Sequence, residues 1–575
     1  MSELARDQLG GAERLTSGPA GRPFFGVAWQ RRTEFDWFDA GSIALLCALT
    51  ILVVATFRDY AITNDEWIQH RYGELIIQYY RSGFVDRSVF RLDNLYLYGG
   101  LFDVAAVLLT HVVALDPFAL RHLMSALMGV AGLGSAIATA RLIAGPRAGF
   151  LAGIALAVCG SWYGTMFHHT KDIPLSAAMA GALYFLIRAM RDCPKCRLRY
   201  VLGFGGLTGA ALGIKVLALL LLCYVGIAIL LNIPTALVRQ PGEVIRFAVR
   251  SLLRFLPGLA VAYLIMIASW PWSALSPLNP VLGLVSFGEF HYGIRTVLDG
   301  EVYRMATVPR WYVPTYLVIK LPIPMLIGSS LALGFAAIPR LARTLTDRRR
   351  REIILVVVSA LFPILCEVIV RGPAFSGLRH FLFVLPPLAI LAGIGLSLMT
   401  SQLTKGSAAA GVFALMIFGA GFIWNAVTLY RLHPYEYLVY NAFVGGLPGA
   451  TRRYATDYWF TMMPEAVDGL EAYLARTRSD GRDAGHVYTV AICGERASFL
   501  HKAPANLRWA QVWETADFFI APTHMNWDQD SHGKVVFTVE RLGVPIGFVK
   551  DQRSEESSGR ASDAAASPDP YQRGR

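Results

Sequence analysis

Long apolar blocks alternate with short polar loops along most of this 575-residue chain. Each block runs for about 17–25 residues, which is the length an α-helix needs to cross the hydrocarbon of a bilayer. The pattern predicts about eleven transmembrane helices and therefore a mainly α-helical, polytopic membrane protein. Their expected positions are 41–57, 121–141, 148–166, 174–190, 200–214, 216–232, 253–272, 314–338, 353–370, 380–399 and 407–429.

One further apolar block, residues 97–114, does not fit this series. Asp103 and His111 interrupt it, and counting it as a span would invert the sidedness of every later loop. We expect this block to lie in or near the membrane interface as a juxtamembrane or re-entrant segment.

The basic loops give the expected orientation, because loops rich in Lys and Arg tend to stay cytoplasmic. Residues 1–40 and four loops qualify: 141–147, 188–199, 239–254 and 340–351. The transmembrane domain, 41–430, then presents three polar segments on the outer face: 58–120, 167–173 and 273–313. We expect a multi-pass protein of the cell membrane with a cytoplasmic N-terminus and an extracytoplasmic C-terminal domain.

Composition agrees with a membrane protein. Hydrophobic residues make up 54% of the chain and charged residues 16%, and the mean hydropathy is +0.44, which is too apolar for an ordinary soluble domain. The net charge of +12 lies mostly in short loops, so it indicates topology rather than nucleic-acid binding. The first apolar block follows a long polar segment, which predicts a retained anchor and no cleaved signal peptide.

The region after Tyr430 is polar and contains two strand-like stretches, 487–493 and 534–539. It predicts a small α/β domain over residues 431–550. The tail, 551–575, is rich in Ser, Arg, Asp and Pro and is expected to be disordered. Of the seven cysteines, Cys193 and Cys196 form a lone CxxC, which is weak evidence for a zinc or redox site.

The segment "NDEWIQHRYGELIIQYYRSG" (64–83) directly follows the first block and predicts an amphipathic helix on the membrane surface. Asn64 is the expected N-cap. Asp65 and Glu66 stand in the first turn, where the helix dipole alone would favour carboxylates. Their position beside a membrane span also suits a base that accepts a proton from a hydroxyl group brought to the surface.

Other polar residues are predicted on the same face. Asp172 follows His168 and His169 in "HHTKDIP", and the histidines are either ligands of a divalent metal or part of a plain polar connector. Cations at membrane depth need a partner or a function. Three basic side chains meet this description, and they either bind an anionic lipid phosphate or extend to headgroups: Lys215, Arg379 and His380.

Five stretches occur in an order that is similar to a known family. They are "NDE" (64–66), "NLYLYGGLFD" (94–103), "KDIP" (171–174), "LRHFLFVLPPL" (378–388) and the run from "HPYEYL" to "YATDYWF" (433–460). With them the chain resembles the GT-C fold glycosyltransferases, specifically the family 39 group of protein O-mannosyltransferases and aminoarabinose-lipid A transferases. One departure is that "RLDN" (91–94) stands where the aminoarabinose transferases commonly have a Lys-Pro-Pro-like sequence.

The resemblance implies transfer of a sugar from a polyprenyl-phosphate donor to an acceptor hydroxyl, with inversion, on a protein, lipid or glycan. It implies Asp65 as the general base, Glu66 as a residue that orients the acceptor or the site, and Asp172 as a second acid. Lys215, Arg379 and Arg295 become candidates for stabilising the leaving phosphate.

Two other functions remain open at this point. A multi-pass transporter or lipid flippase would use the same acids for ion coupling, although we find no clear internal repeat of the kind such folds often show. A non-catalytic assembly or binding protein would act through its outer domain instead.

Overall fold

The computed structural model describes residues 35–288, 293–370, 374–477 and 486–553. Helices dominate it. The first eleven are α1 Trp37–Thr56, α2 Glu66–Arg81, α3 Leu101–Thr110, α4 Pro117–Ala144, α5 Pro146–Ala157, α6 Gly160–Tyr163, α7 Thr165–His168, α8 Asp172–Met190, α9 Leu198–Leu212, α10 Leu220–Leu231 and α11 Pro241–Ser269.

Eleven further helices and seven strands follow. The helices are α12 Pro271–Leu275, α13 Asn279–Gly288, α14 Tyr312–Lys320, α15 Ile323–Ala337, α16 Pro339–Ala342, α17 Asp347–Val370, α18 Leu385–Gly406, α19 Ala408–Leu432, α20 Gly446–Ala450, α21 Met463–Thr477 and α22 Arg496–Lys502. The strands are β1 Arg295–Leu298, β2 Glu301–Arg304, β3 Tyr488–Ile492, β4 Leu507–Ala510, β5 Phe518–Pro522, β6 Lys534–Arg541 and β7 Val544–Asp551.

Within the described residues, seven helices are long and apolar enough to cross a membrane: α1, α4, α8, α11, α17, α18 with the short 3₁₀ turn before it, and α19. Two bent pairs raise this to nine if each is one span: α5 with Gly160–His168, bent by 69°, and α14 with α15, bent by 116°. Every one of the eleven predicted spans is helical, but the count of eleven is not confirmed. The predicted span at 200–214 is α9, which has only 15 residues. The predicted span at 216–232 is a 3₁₀ turn of 4 residues followed by α10 with 12 residues.

The two segments expected at the membrane surface, 64–83 and 97–114, contain α2 and α3 respectively. The apolar face predicted for α2 is buried at Tyr72, Leu75, Ile76 and Tyr79. Helix α3 has 10 residues, so it is about 15 Å long and too short to cross the hydrocarbon.

The N-cap prediction was wrong by one residue, because the cap of α2 is Asp65 and its side chain makes no capping hydrogen bond. The side-chain oxygen of Asn64 instead accepts a hydrogen bond from the backbone N–H of Glu495, 3.1 Å away in the C-terminal part of the chain. The start of α2 is therefore tied to a distant segment, which local sequence preferences could not predict.

One end of the helix bundle carries ion pairs between the predicted basic loops and neighbouring helices. Arg141 at the end of α4 binds Asp39 near the start of α1, and Arg191 after α8 binds Glu352 near the start of α17, with N–O distances of 2.7 and 2.8 Å. Arg191 also donates to the Leu142 carbonyl and Arg349 to the Ile143 carbonyl, so the predicted basic loops 141–147, 188–199 and 340–351 lie at the same end of the bundle.

The C-terminal domain contains a five-stranded sheet in the order β4-β3-β5-β7-β6. Strands β4, β3 and β5 are parallel, and β7 is antiparallel to β5 and β6, so the predicted α/β character is observed. Both strand-like stretches noted in the sequence form strands, as β3 and β6. The last strand ends at Asp551, and residues 554–575 of the predicted disordered tail lie outside the described residues.

Between α19 and the sheet, residues 433–462 pack against the bent helix pair α5–α7. A Cβ added at Gly164 would lie 2.2 Å from the backbone nitrogen of Tyr437, and one at Gly160 would lie 2.4 Å from the carbonyl oxygen of Glu436. Both glycines are therefore needed for this close approach. The contact brings "YATDYWF" over the end of the bundle opposite the basic loops.

Candidate functional site

Asp65 forms an ion pair with a residue more than 300 positions away, Arg379. The side chain of Asp65 is 38% exposed, whereas that of Arg379 is 17% exposed. Arg379 follows a tight turn at Ser376 and Gly377, whose φ angles are 53° and 66°. The N–H of Gly377 donates to the Tyr312 hydroxyl at 2.9 Å, which fixes the turn from α14.

Asp172, at the first position of α8, joins the same assembly. Its Oδ1 accepts a hydrogen bond from Lys215 Nζ at 3.1 Å, and its Oδ2 lies 3.5 Å from Arg379 Nε. Lys215 Nζ is also 3.2 Å from Nδ1 of His380. Five predicted site residues thus form one group, which we call the ion-pair cluster: Asp65, Asp172, Lys215, Arg379 and His380.

A backbone contact holds Lys215 in place. Helix α9 ends at Leu212, and the turn after it accepts hydrogen bonds from Leu101 N–H to the Gly213 carbonyl at 2.9 Å and from Gly99 N–H to the Ile214 carbonyl at 3.1 Å. A Cβ at Gly99 would lie 2.1 Å from the Gly213 carbonyl carbon. The "YGG" sequence before α3 therefore acts as a brace that orients Lys215.

Two aromatic residues of the C-terminal segment cover the cluster. The Trp459 ring stacks on the Arg379 guanidinium with 4.1 Å from Cζ to the ring centroid, a favourable cation–π geometry. The Trp459 indole N–H donates to His169 Nε2, and the Tyr458 hydroxyl lies 3.2 Å from the same nitrogen. The sequence did not predict these roles, because nothing local to "YATDYWF" indicates its contact with a residue 80 positions earlier.

The predicted metal ligands His168 and His169 are both buried, and one ring nitrogen of each has a partner within the protein. Nδ1 of His168 faces the Gly164 carbonyl at 3.1 Å, and Nε2 of His169 already accepts the Trp459 hydrogen bond. No group of three His, Cys, Asp or Glu side chains within the described ranges is placed to hold a metal ion. Burial lowers the pKa of His169 to about 3, with Arg379 and Lys215 lowering it further and Asp172 opposing them, so His169 is neutral.

Two other predicted site residues lie outside the cluster. Arg295 stands at the exposed start of β1 and interacts electrostatically with Asp530 of the C-terminal domain. Glu66 is fully buried: its Oε1 accepts from the Thr63 hydroxyl at 2.8 Å, and its Oε2 lies 2.9 Å from His122 Nε2. A side chain enclosed in this way is not placed to contact an acceptor.

Glu66 belongs to a second buried group, which the sequence did not predict. Arg121 is fully buried; its Nη2 donates to Asp103 Oδ1 at 2.7 Å and to Gln69 and Thr170 at 3.1 Å. Charged residues inside apolar blocks are the signal that could have revealed it. We call these residues the scaffold network: Thr63, Glu66, Gln69, Asp103, Arg121, His122 and Thr170.

The cluster and the scaffold network together join α2, α3, α4, α8 and α18. A comparison with protein families bears directly on this part of the chain. Residues 104–272 match the family model of dolichyl-phosphate-mannose-protein mannosyltransferases. The match confirms, over less than a third of the chain, the resemblance predicted from the sequence motifs. The matched segment contains Asp172 and Lys215 but neither Asp65 nor Arg379.

Three solved structures with a similar fold are distant in sequence. ArnT from Cupriavidus metallidurans bound to undecaprenyl phosphate is 16% identical, with a TM-score of 0.46 over 89% of this chain and 98% of that chain. The oligosaccharyltransferase of Archaeoglobus fulgidus in the apo form is 14% identical, with a TM-score of 0.45 over 83% and 65%. The arabinofuranosyltransferase AftD from Mycobacteria is 11% identical, with a TM-score of 0.41 over 90% and 40%. None of the curated protein sequences compared with the chain matches it.

One more cation of the matched segment lies beside the cluster. Lys171 is 8% exposed, and its Nζ lies 4.4 Å from the centroid of the Tyr98 ring. Burial lowers the pKa of Lys171 to about 8, with Asp103 and Asp65 opposing the shift and Arg121 and Lys215 adding to it. Along the chain, Lys171 lies between Thr170 of the scaffold network and Asp172 of the ion-pair cluster.

Proposed function

We propose that the chain is a membrane glycosyltransferase that moves a sugar from a polyprenyl-phosphate donor to an acceptor hydroxyl at the extracytoplasmic face. The observation that carries the proposal is that Asp65 and Asp172 share Arg379 at one end of an apolar bundle. The acceptor is a protein, a lipid or a glycan. The family match over residues 104–272 supports this reaction class.

Asp65 is the proposed general base. Its contact with Arg379 uses Oδ2, and within the described residues Oδ1 makes no hydrogen bond. Asp65 is also the most exposed carboxylate of the cluster, with 38% of its side chain accessible against 8% for Asp172. An acceptor hydroxyl can therefore reach Oδ1 and transfer its proton as its oxygen attacks the sugar.

The cations of the cluster act on the departure of the polyprenyl phosphate. As the acceptor oxygen bonds to the anomeric carbon, the bond from that carbon to the phosphate oxygen breaks, and its electron pair leaves with the polyprenyl phosphate. Lys215 and Arg379 already lie on one carboxylate, Asp172, and His380 contacts Lys215. Cations fixed in advance where negative charge develops stabilise the transition state without reorganisation.

The position of the cluster suits a lipid-linked donor. Its residues stand at the starts of α2 and α8, after α9 and just before α18, while the bodies of α8 and α18 form the apolar bundle. A polyprenyl chain can lie against apolar helices while its phosphate and sugar reach the polar end.

The test is to incubate purified protein with a panel of polyprenyl-phosphate sugars and membrane extracts, and to identify glycosylated products by mass spectrometry. We expect transfer of one sugar class by the wild type and a fall of about 10²–10⁴-fold in Asp65→Asn. The matched control is Glu74→Gln, since Glu74 lies on the same helix and pairs with Arg71 at the surface. Ion-coupled uptake into vesicles without sugar transfer would overturn the proposal in favour of a transporter.

A further inference from the structure

Lys171 differs from the cations of the ion-pair cluster in having no carboxylate partner. Arg379 contacts Asp65 and Asp172, and Lys215 contacts Asp172. Within residues 35–288, 293–370, 374–477 and 486–553, no carboxylate oxygen lies within 4.0 Å of Lys171 Nζ, and its near contact is the face of Tyr98. A buried ammonium without a counter-ion is costly, so its retention at this place indicates a partner that arrives from outside the chain.

The carboxylates around Lys171 already have other partners. In the cluster, Asp65 pairs with Arg379 and Asp172 with Lys215. In the scaffold network, Asp103 pairs with Arg121 and Glu66 with His122. None of these carboxylates is therefore left over to pair with Lys171 beside the proposed base. A phosphodiester, which is a monoanion, has the complementary charge.

The neighbours of Lys171 are held in place by contacts of their own. The Tyr98 carbonyl oxygen accepts a hydrogen bond from the Tyr72 hydroxyl at 2.8 Å, and the Tyr98 ring packs against Phe287 of α13 with centroids 4.7 Å apart. Lys171 itself directly precedes Asp172 in α8, and Arg121 binds the preceding Thr170. The ammonium is thus held by fixed neighbours, which lowers the entropy lost when a ligand binds.

We propose that Lys171, seated on Tyr98, binds the phosphodiester of the lipid-linked donor, whereas Lys215 and Arg379 remain paired with the carboxylates and act on the charge that develops as the phosphate leaves. This inference rests on the proposed function and deepens it. Lys171 is then a binding residue for the ground state, and its loss raises the donor KM more than it lowers kcat.

The experiment measures binding of undecaprenyl phosphate and of undecaprenol to the purified full chain in nanodiscs by native mass spectrometry. We expect Lys171→Gln and Lys171→Met to weaken undecaprenyl phosphate binding by about ten- to hundredfold, the range of one charge-assisted hydrogen bond. Lys171→Arg should restore it to within about threefold, because the positive charge returns. Undecaprenol binding should not change in any variant, and Arg71→Gln is the surface control.

Each result bears on a different statement. Wild-type binding of undecaprenyl phosphate with unchanged binding in both Lys171→Gln and Lys171→Met overturns the role of Lys171 and leaves the proposed function standing. Equal losses for undecaprenyl phosphate and undecaprenol in Lys171→Gln and Lys171→Met also overturn the inference, because a phosphate-binding residue does not affect binding of the alcohol. No binding of undecaprenyl phosphate by the wild type overturns the proposed function and this inference with it.

Discussion

The ion-pair cluster and the scaffold network are two charged assemblies side by side, and they differ in their access to solvent. The central pair of the network, Arg121 and Asp103, has side chains 0% and 1% exposed. The cluster opens at Asp65, which is 38% exposed. A closed ion pair can only support the fold, while an open one can exchange its internal partner for a substrate. Exposure, and not the number of charges, distinguishes the proposed reacting carboxylate from the scaffold network.

The largest effect is expected from Asp65→Asn. The amide keeps a similar shape and can still accept a hydrogen bond from Arg379, but it cannot take the acceptor proton. Sugar transfer should fall by about 10²–10⁴-fold, with thermal unfolding in detergent close to that of the wild type. The rate of product formation by mass spectrometry is the measurement. Activity within a few-fold of the wild type would remove Asp65 from the role of base.

Arg121→Met tests the structural role of the scaffold network. Removing one partner of a buried ion pair leaves Asp103 uncompensated, which costs about 3–5 kcal/mol of stability. We expect a much lower unfolding temperature and loss of protein during purification. The double variant Arg121→Met, Asp103→Leu should recover much of the loss, since neither charge then remains buried. Normal stability with lost transfer would mean that Arg121 takes part in the reaction.

Glu66→Gln sharpens the boundary between the two assemblies, because Glu66 is adjacent to Asp65 in sequence yet belongs to the network. Gln can still accept from Thr63, so we expect stability to fall by about 1–3 kcal/mol and transfer by roughly tenfold or less. Parallel unfolding and transfer assays give both values. A loss of transfer as large as that of Asp65→Asn at wild-type stability would show that Glu66 is itself a reacting group.

Much of this arrangement could be predicted from the sequence. The apolar blocks located the helices, and charges that interrupt them or border them indicated that Asp65, Asp172, Lys215, Arg379 and His380 lie together. These predictions rest on a simple physical fact: an ionisable group at the edge of a membrane helix needs a partner. The partners had to come from other helices at the same end of the bundle.

Other features could not be predicted from local pattern. The bend between α5 and α6 lies within an apolar stretch, where hydrophobicity is uniform and carries no information on direction. The bend between α14 and α15 has a local signal in Pro322. It is stabilised by Asn441, whose side-chain amide donates to the carbonyls of Val318 and Leu321 at 2.6 and 2.9 Å. Contacts over such separations, like Trp459 on Arg379, depend on the folded chain.

The smallest effect is expected at His433, where the first span meets the C-terminal segment. Its side chain is partly exposed to solvent, like that of Asp65, but it lies apart from the ion-pair cluster. Nδ1 of His433 lies 2.7 Å from Glu436 and Nε2 lies 3.1 Å from Asp59, and Arg541 donates to the His433 carbonyl at 3.3 Å. The hydrogen bond to Glu436, opposed by burial and aided by Asp59, raises the pKa of His433 above 6.5.

A raised pKa means that the protonated form of His433 stabilises the fold below about pH 6.5 and that this contribution is lost as the pH rises through the folded-state pKa. Because a third of the side chain is exposed, the contribution is at most about 1 kcal/mol. The unfolding temperature of His433→Gln should therefore lie below that of the wild type at about pH 6 and approach it at about pH 9; a gap that stays constant across this range would show that His433 acts through neutral hydrogen bonds alone.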